Sequence, residues 1–186
     1  AALGAVAIGS MLISTGAHAQ QKLVLKASDV HPLGYPTVEA VERMGLRYAA
    51  QDQTARTLAR WWQQQGTCVQ LLHPAFEGAP GHAHWQALCA GQGRAGLAAG
   101  LFSVMLDSRY GASQVDAFCD DLRLFRIGYS WGGPVSLVMP YALNGMRSRE
   151  HPQLRPGHLV RFSMGLESAD ALVDDLQAAL HRHLPS

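Results

Sequence analysis

The longest periodic pattern in the chain runs through Val41, Met44, Tyr48, Ala55, Leu58 and Trp62, a stripe at helical spacing interrupted by Gln51 and Asp52. Thr37 suits the N-cap of this helix, Glu39 and Glu42 lie where the helix dipole favours acids, and Gly66 closes it. Ahead of it, Lys22 to Lys26 alternates as a short strand and Val30 to Pro36 is a turn-rich loop. After it, Val69 to Leu72 is a strand closed by His73-Pro74, and His82 to Ala90 is a short helix. Leu97 to Leu106 is an apolar strand. Ser113 caps a helix to about Leu122, with Val115, Phe118 and Cys119 facing inward. Leu124 to Tyr129, Val135 to Met139 and Leu159 to Met164 are further strands, with a polar, irregular stretch from Tyr141 to Pro156. Ser168 caps a last amphipathic helix through Leu172, Val173, Leu176 and Leu180. A long helix followed by strands and helices in this order predicts an α+β domain, mainly an antiparallel sheet with helices on one face.

Composition agrees with a folded domain. Of 186 residues, 48% are hydrophobic and 16% charged, enough apolar content for a core. A formal net charge of +1 gives no electrostatic case for a nucleic-acid partner. Cys68, Cys89 and Cys119 stand apart without metal-ligand spacing, so they are expected to be reduced, partly buried thiols. His82-x-His84 with His73 nearby is a weak metal pattern, and a histidine pair at a helix start explains it better. His181-x-His183 reads as a solvated helix end, and Trp61-Trp62 as one core ring beside one surface ring. Residues 1–13 are almost wholly apolar or small, too short a run to span a bilayer, and the stretch to residue 19 ends in an A-x-A-like site before Gln20. They read as a secretory signal whose start is lost.

Two resemblances follow. Residues 1–44, with Leu25-Lys26-Ala27-Ser28-Asp29-Val30-His31-Pro32 and the following Gly34-Tyr35-Pro36-Thr37, are similar to the start of a TRAP-type periplasmic dicarboxylate-binding protein. The second is carried by five strings. They are Val69-Gln70-Leu71-Leu72-His73-Pro74-Ala75, Gly81-His82-Ala83-His84-Trp85, Gly100-Leu101-Phe102-Ser103-Val104, Leu124 through Tyr129-Ser130-Trp131-Gly132-Gly133, and Leu159-Val160-Arg161-Phe162-Ser163-Met164-Gly165-Leu166-Glu167. In this order and spacing, residues 45–186 resemble the C-terminal domain of the cystathionine β-lyases, pyridoxal-phosphate enzymes of trans-sulfuration with the aspartate-aminotransferase-like fold. The chain is thereby expected to be a chimera with its seam near Arg43-Met44-Gly45. The solute-binding protein is the alternative reading of its function.

The β-lyase resemblance implies a site. Arg161 would bind the α-carboxylate of a cystathionine-like amino acid, flanked by Ser130 and Trp131, with Gly132-Gly133 turning the backbone beside it. Pro134-Val135 departs from the family, which usually has an acid shortly after the Gly-Gly pair. The cofactor would be pyridoxal 5'-phosphate, held as a Schiff base on a lysine. The only lysines are Lys22 and Lys26, and residues 47–186 contain none. No cofactor-binding or catalytic residue is therefore assigned, and the chain is expected to be inactive as given. Intact relatives are expected to be cytoplasmic homo-oligomers, whereas a genuine signal would imply the periplasm. The isolated domain is expected to self-associate through an apolar patch that includes part of the Tyr48/Leu58/Trp62 stripe.

Overall fold

The computed structural model describes residues 43–90, 95–143 and 152–185. The signal-like segment, the strand at 22–26, the Thr37 cap and the solute-binding start lie outside them. The long helix is α1, Met44–Gln63, followed by β1, Cys68–Leu72. Then come α2, His82–Cys89, β2, Leu101–Asp107, and α3, Ala112–Asp120. The short β3, Arg126–Ile127, precedes β4, Leu137–Tyr141, β5, Gly157–Ser163, and α4, Ala169–His183.

The strands form one sheet in the order β1-β2-β5-β4-β3, antiparallel throughout except for the β3–β4 pair. Strand alternation sorts the side chains. Phe102, Val104 and Leu106 of β2 share a face with Val160 and Phe162 of β5 and Val138 of β4, and all are buried. Onto this face pack Leu58 and Trp62 of α1, Phe118 of α3, and Leu172, Leu176 and Leu180 of α4. Trp62 is the central ring, within 5.6 Å of Phe162 and 6.2 Å of Phe118. Truncating a ring so enclosed costs about 3–5 kcal/mol, so this one side chain contributes a large part of the fold's margin. The expected α+β domain with helices over one face of an antiparallel sheet is what forms.

Several details differ. Gln51 and Asp52 do not interrupt the buried stripe of α1; they are buried in it, each held by a distant backbone group. Leu58 and Trp62 are fully buried and cannot belong to an exposed patch, whereas Tyr48 remains 38% exposed. Helix α1 ends at Gln63, where the Gln64 N–H bonds back to the Trp61 carbonyl. Gly66 lies beyond that end, outside the left-handed region where a glycine cap acts. Gly111 is the N-cap of α3, its N–H taken by the Gln114 side chain at 2.9 Å, and Ser113 sits inside the helix. The strand expected from Leu97 starts at Leu101, because residues 96–98 are drawn onto α1 and α2 by side chains. The strand expected over Leu124–Tyr129 shrinks to two residues. The Arg123 and Leu124 N–H groups donate to Asp175 of α4, not to a neighbouring strand. Among the described residues no helix is long and apolar enough to cross a membrane.

Candidate functional site

Strand β5 alternates, so Val160 and Phe162 enter the core while Arg161 stands on the opposite face, in register between Ser103 of β2 and Met139 of β4. The half-buried Arg161 donates from Nη2 to the Gly128 carbonyl at 3.1 Å, with the Ser130 carbonyl at 3.5 Å. Its guanidinium lies 5.6 Å from the Tyr141 ring centroid, and Tyr129 meets Tyr141 edge-on at 6.3 Å. These contacts orient the group and leave its charge uncompensated. Among the described residues no carboxylate forms an ion pair with Arg161. A guanidinium retains further N–H donors after such contacts and cannot shed its charge, so an incoming carboxylate is its natural complement.

Ser130 and Trp131 belong to the segment between β3 and β4, where Gly132 adopts a left-handed φ of 76° that favours glycine. Ser130 lies beside Arg161 through its backbone, and Trp131 is 66% exposed. The segment is fastened from behind. The buried Gln51 donates to the Gly133 carbonyl at 2.8 Å, and the Leu166 N–H donates to the Pro134 carbonyl at 2.9 Å. Ser136 donates its N–H to Glu167 Oε1 at 2.8 Å and its hydroxyl to Oε2 at 2.7 Å, while its Oγ accepts the Gly165 N–H at 2.8 Å. A Cβ at Gly165 would collide with the Glu167 carboxylate and the Pro134 carbonyl, so this crossing needs glycine.

The other candidates lie elsewhere. His82 begins α2 with its ring Nδ1 2.8 Å from the Pro74 carbonyl, and His84 is exposed beside it. His73 is fully buried between Phe76 and Phe102; burial, aided by the Arg56 charge, pushes its pKa down to about 4. His181 is exposed at the end of α4, but His183 is half-buried with Nε2 3.0 Å from Asp121. Trp62 is the core ring and Trp61 packs half-buried against it, centroids 5.0 Å apart. Of the thiols, Cys119 is buried, Cys68 half-buried and Cys89 exposed, and burial raises Cys119 to about 12 and Cys68 to about 11. Among the described residues no cluster of three metal-ligating side chains forms.

Sequence reasoning did not single out Gln51, Ser136, Glu167 or Tyr141. For Gln51 a signal existed: a polar residue at a core position of an amphipathic helix needs a partner, and its partner is this segment.

Comparison with known proteins gives a consistent answer. Residues 14–181 match the family described as Cys/Met metabolism PLP-dependent enzyme. The chain is 31% identical over 151 residues to cystathionine β-lyase of Salmonella typhimurium, covering 80% of this chain and 36% of that protein. It is 32% identical over 136 residues to the L-alanine/L-glutamate racemase of Wolbachia pipientis, covering 73% and 32%. Cystathionine γ-synthase of Xanthomonas oryzae, solved with aminoacrylate and cysteine, superposes with a TM-score of 0.61 at 27% identity, over 79% of this chain and 37% of that one. The chain thus spans about a third of the length of these relatives. The family match begins well ahead of the seam expected near residue 44, and the solute-binding resemblance of residues 1–44 gains no support from these matches.

Proposed function

Because this chain belongs to the PLP-dependent enzymes of cysteine and methionine metabolism, we propose that residues 45–186 are the C-terminal, substrate-facing domain of a carbon–sulfur lyase of the cystathionine β-lyase type. The observation that carries this reading is the half-buried, oriented and unneutralised Arg161, held against the carbonyls of Gly128 and Ser130. Two parallel N–H···O bonds to a substrate α-carboxylate are worth about 1.5–3 kcal/mol and fix the orientation of the Cα–H bond as well as its distance. Ser130 and the exposed Trp131 ring border the approach, and Tyr141 backs the guanidinium. An arginine for the carboxylate serves any reaction at an amino-acid Cα; the choice of a β-lyase rests on the Tyr129-Ser130-Trp131-Gly132-Gly133 resemblance and on the β-lyase relatives.

Pyridoxal phosphate supplies electron withdrawal from Cα in this family when it is bound. The described residues do not fit its attachment, since residues 47–186 contain no lysine amine for its aldehyde. Their part is substrate binding and orientation, and by themselves they are inactive. The exposed Leu46, Leu88, Tyr129 and Trp131 give the isolated domain apolar surface through which to associate.

The test places residues 45–186 in the corresponding region of an intact cystathionine β-lyase. Arg161→Ala should lower kcat/KM at least about tenfold with the bound cofactor's absorption unchanged, and Arg161→Lys should recover part of the loss. Arg155→Ala is the control, because Arg155 is exposed and its backbone, not its side chain, bonds Gln70. Near-normal activity in Arg161→Ala, or equal losses from both, removes the assignment.

A further inference from the structure

We infer that Glu167 is a positioning residue: acting through Ser136, its carboxylate sets the place at which the 128–135 segment meets Arg161. The significance of that meeting point rests on the carboxylate-binding reading of Arg161, whereas the clamp itself is a matter of hydrogen-bond direction. A backbone N–H can only donate, so Ser136 Oγ accepts from Gly165 and its single hydroxyl proton must go to Glu167. The Ser136 N–H is a second donor aimed at the same carboxylate. Both oxygens of Glu167 therefore accept from one residue 31 positions earlier in the chain. Only an acceptor on both oxygens, an ionised carboxylate, satisfies that pair without reorienting the hydroxyl.

Ser136 is the point where the segment rejoins the sheet. Its carbonyl accepts the Arg126 N–H at 2.9 Å, and two residues further along Val138 accepts the Gly128 N–H at 3.2 Å. Fixing Ser136 thus fixes β3 and, with it, the Gly128 and Ser130 carbonyls that orient Arg161. The neighbouring Leu166 N–H to Pro134 carbonyl bond makes a second tie, and the bare Cα of Gly165 is what lets the two chains approach so closely. Glu167 immediately precedes the Ser168 cap of α4, so the clamp refers the loop to a helix anchored in the core.

The experiment uses the full 186-residue chain. Backbone amide exchange and the Arg161 side-chain Nε–H resonance are compared in the wild type, Glu167→Ala, Glu167→Gln and Ser136→Ala. Glu167→Ala should lower protection of the Gly128, Ser136 and Gly165 amides by at least about tenfold, since both charge-assisted bonds from Ser136 are lost. It should also shift the Arg161 resonance and leave Phe162 and the α4 amides from Leu172 onward unchanged. Glu167→Gln, which keeps the shape and one acceptor, should show a smaller change at the same sites, and it decides the matter if Glu167→Ala does not fold. Unchanged Gly128 protection and Arg161 resonance in these variants overturns the proposal, as does a loss spread evenly over α4 and β5. Titration of the wild type with sodium acetate separates the two ideas. An Arg161 resonance that ignores acetate speaks against the carboxylate-binding reading, and the exchange pattern still decides the clamp.

Discussion

Replacing Asp52 tests how the polar residues of α1 organise the approach to the sheet. The Asp52 side chain is 6% exposed; Oδ1 accepts the Ala98 N–H at 2.6 Å and Oδ2 accepts Arg56 Nε at 2.8 Å. Arg56 in turn donates to the Gly96 carbonyl at 2.9 Å and lies 5.6 Å from the Trp85 ring. Asp52→Ala strands one backbone N–H and removes the partner of an arginine whose side chain is 21% exposed. A buried pair broken from one side costs about 3–5 kcal/mol. Partial exposure of Arg56 and its surviving contacts bring the expectation to the lower end, about 3 kcal/mol. Asp52→Asn keeps an acceptor for Ala98 but loses the charge and the acceptor facing Arg56 Nε, so a smaller loss of about 1.5–2 kcal/mol is expected. Urea unfolding followed by far-UV circular dichroism, at protein concentrations low enough to exclude association, reads both values from midpoints at constant m. Equal effects from Ala and Asn, or a loss below about 0.5 kcal/mol for Ala, would refute the assignment of Asp52 as the anchor of residues 96–98.

Acid should weaken the fold through His73. Its neutral ring accepts the Ala75 N–H at Nδ1, and its pKa is lowered from 6.5 to about 4, first by burial. The unfolded chain binds the proton more readily between those values, so stability is complete above about pH 6.5 and falls as pH drops toward 4, by up to roughly 3 kcal/mol. His73→Phe should flatten that window, and an unchanged slope would sink the account; the Asp121 carboxyl, held low by Arg182, acts below its ordinary 3.8 and outside the window. Incubation with pyridoxal phosphate and borohydride should leave scattered label at Lys22, Lys26 or the amino terminus. One stoichiometric adduct in the mapped peptides would contradict the reading that these residues lack the cofactor's attachment.

What the sequence determined by itself was periodic or local. The apolar spacing of α4 and the stripe ending at Leu58 and Trp62 mark their helices, because one face of each must leave water whatever it packs against. The alternation of Leu159-Val160-Arg161-Phe162 places Arg161 on the face away from the core, and the expectation for its chemistry came from the motif around it. Pairings between distant residues depended on tertiary structure. Gln51 and Asp52 read as breaks in a stripe, since a buried polar residue looks like an error until its partner is known, and the partners are Gly133 and Ala98. Leu124 to Tyr129 carries a strand-like composition, but its first amide is taken by Asp175 and its Gly128 carbonyl faces Arg161, so only two residues join the ladder. Ser136 and Glu167 show no pattern linking them along the chain. Their contact exists because β4 returns to the sheet beside the start of α4, and a hydrogen bond that spans 31 residues is legible only once the backbone has closed around it.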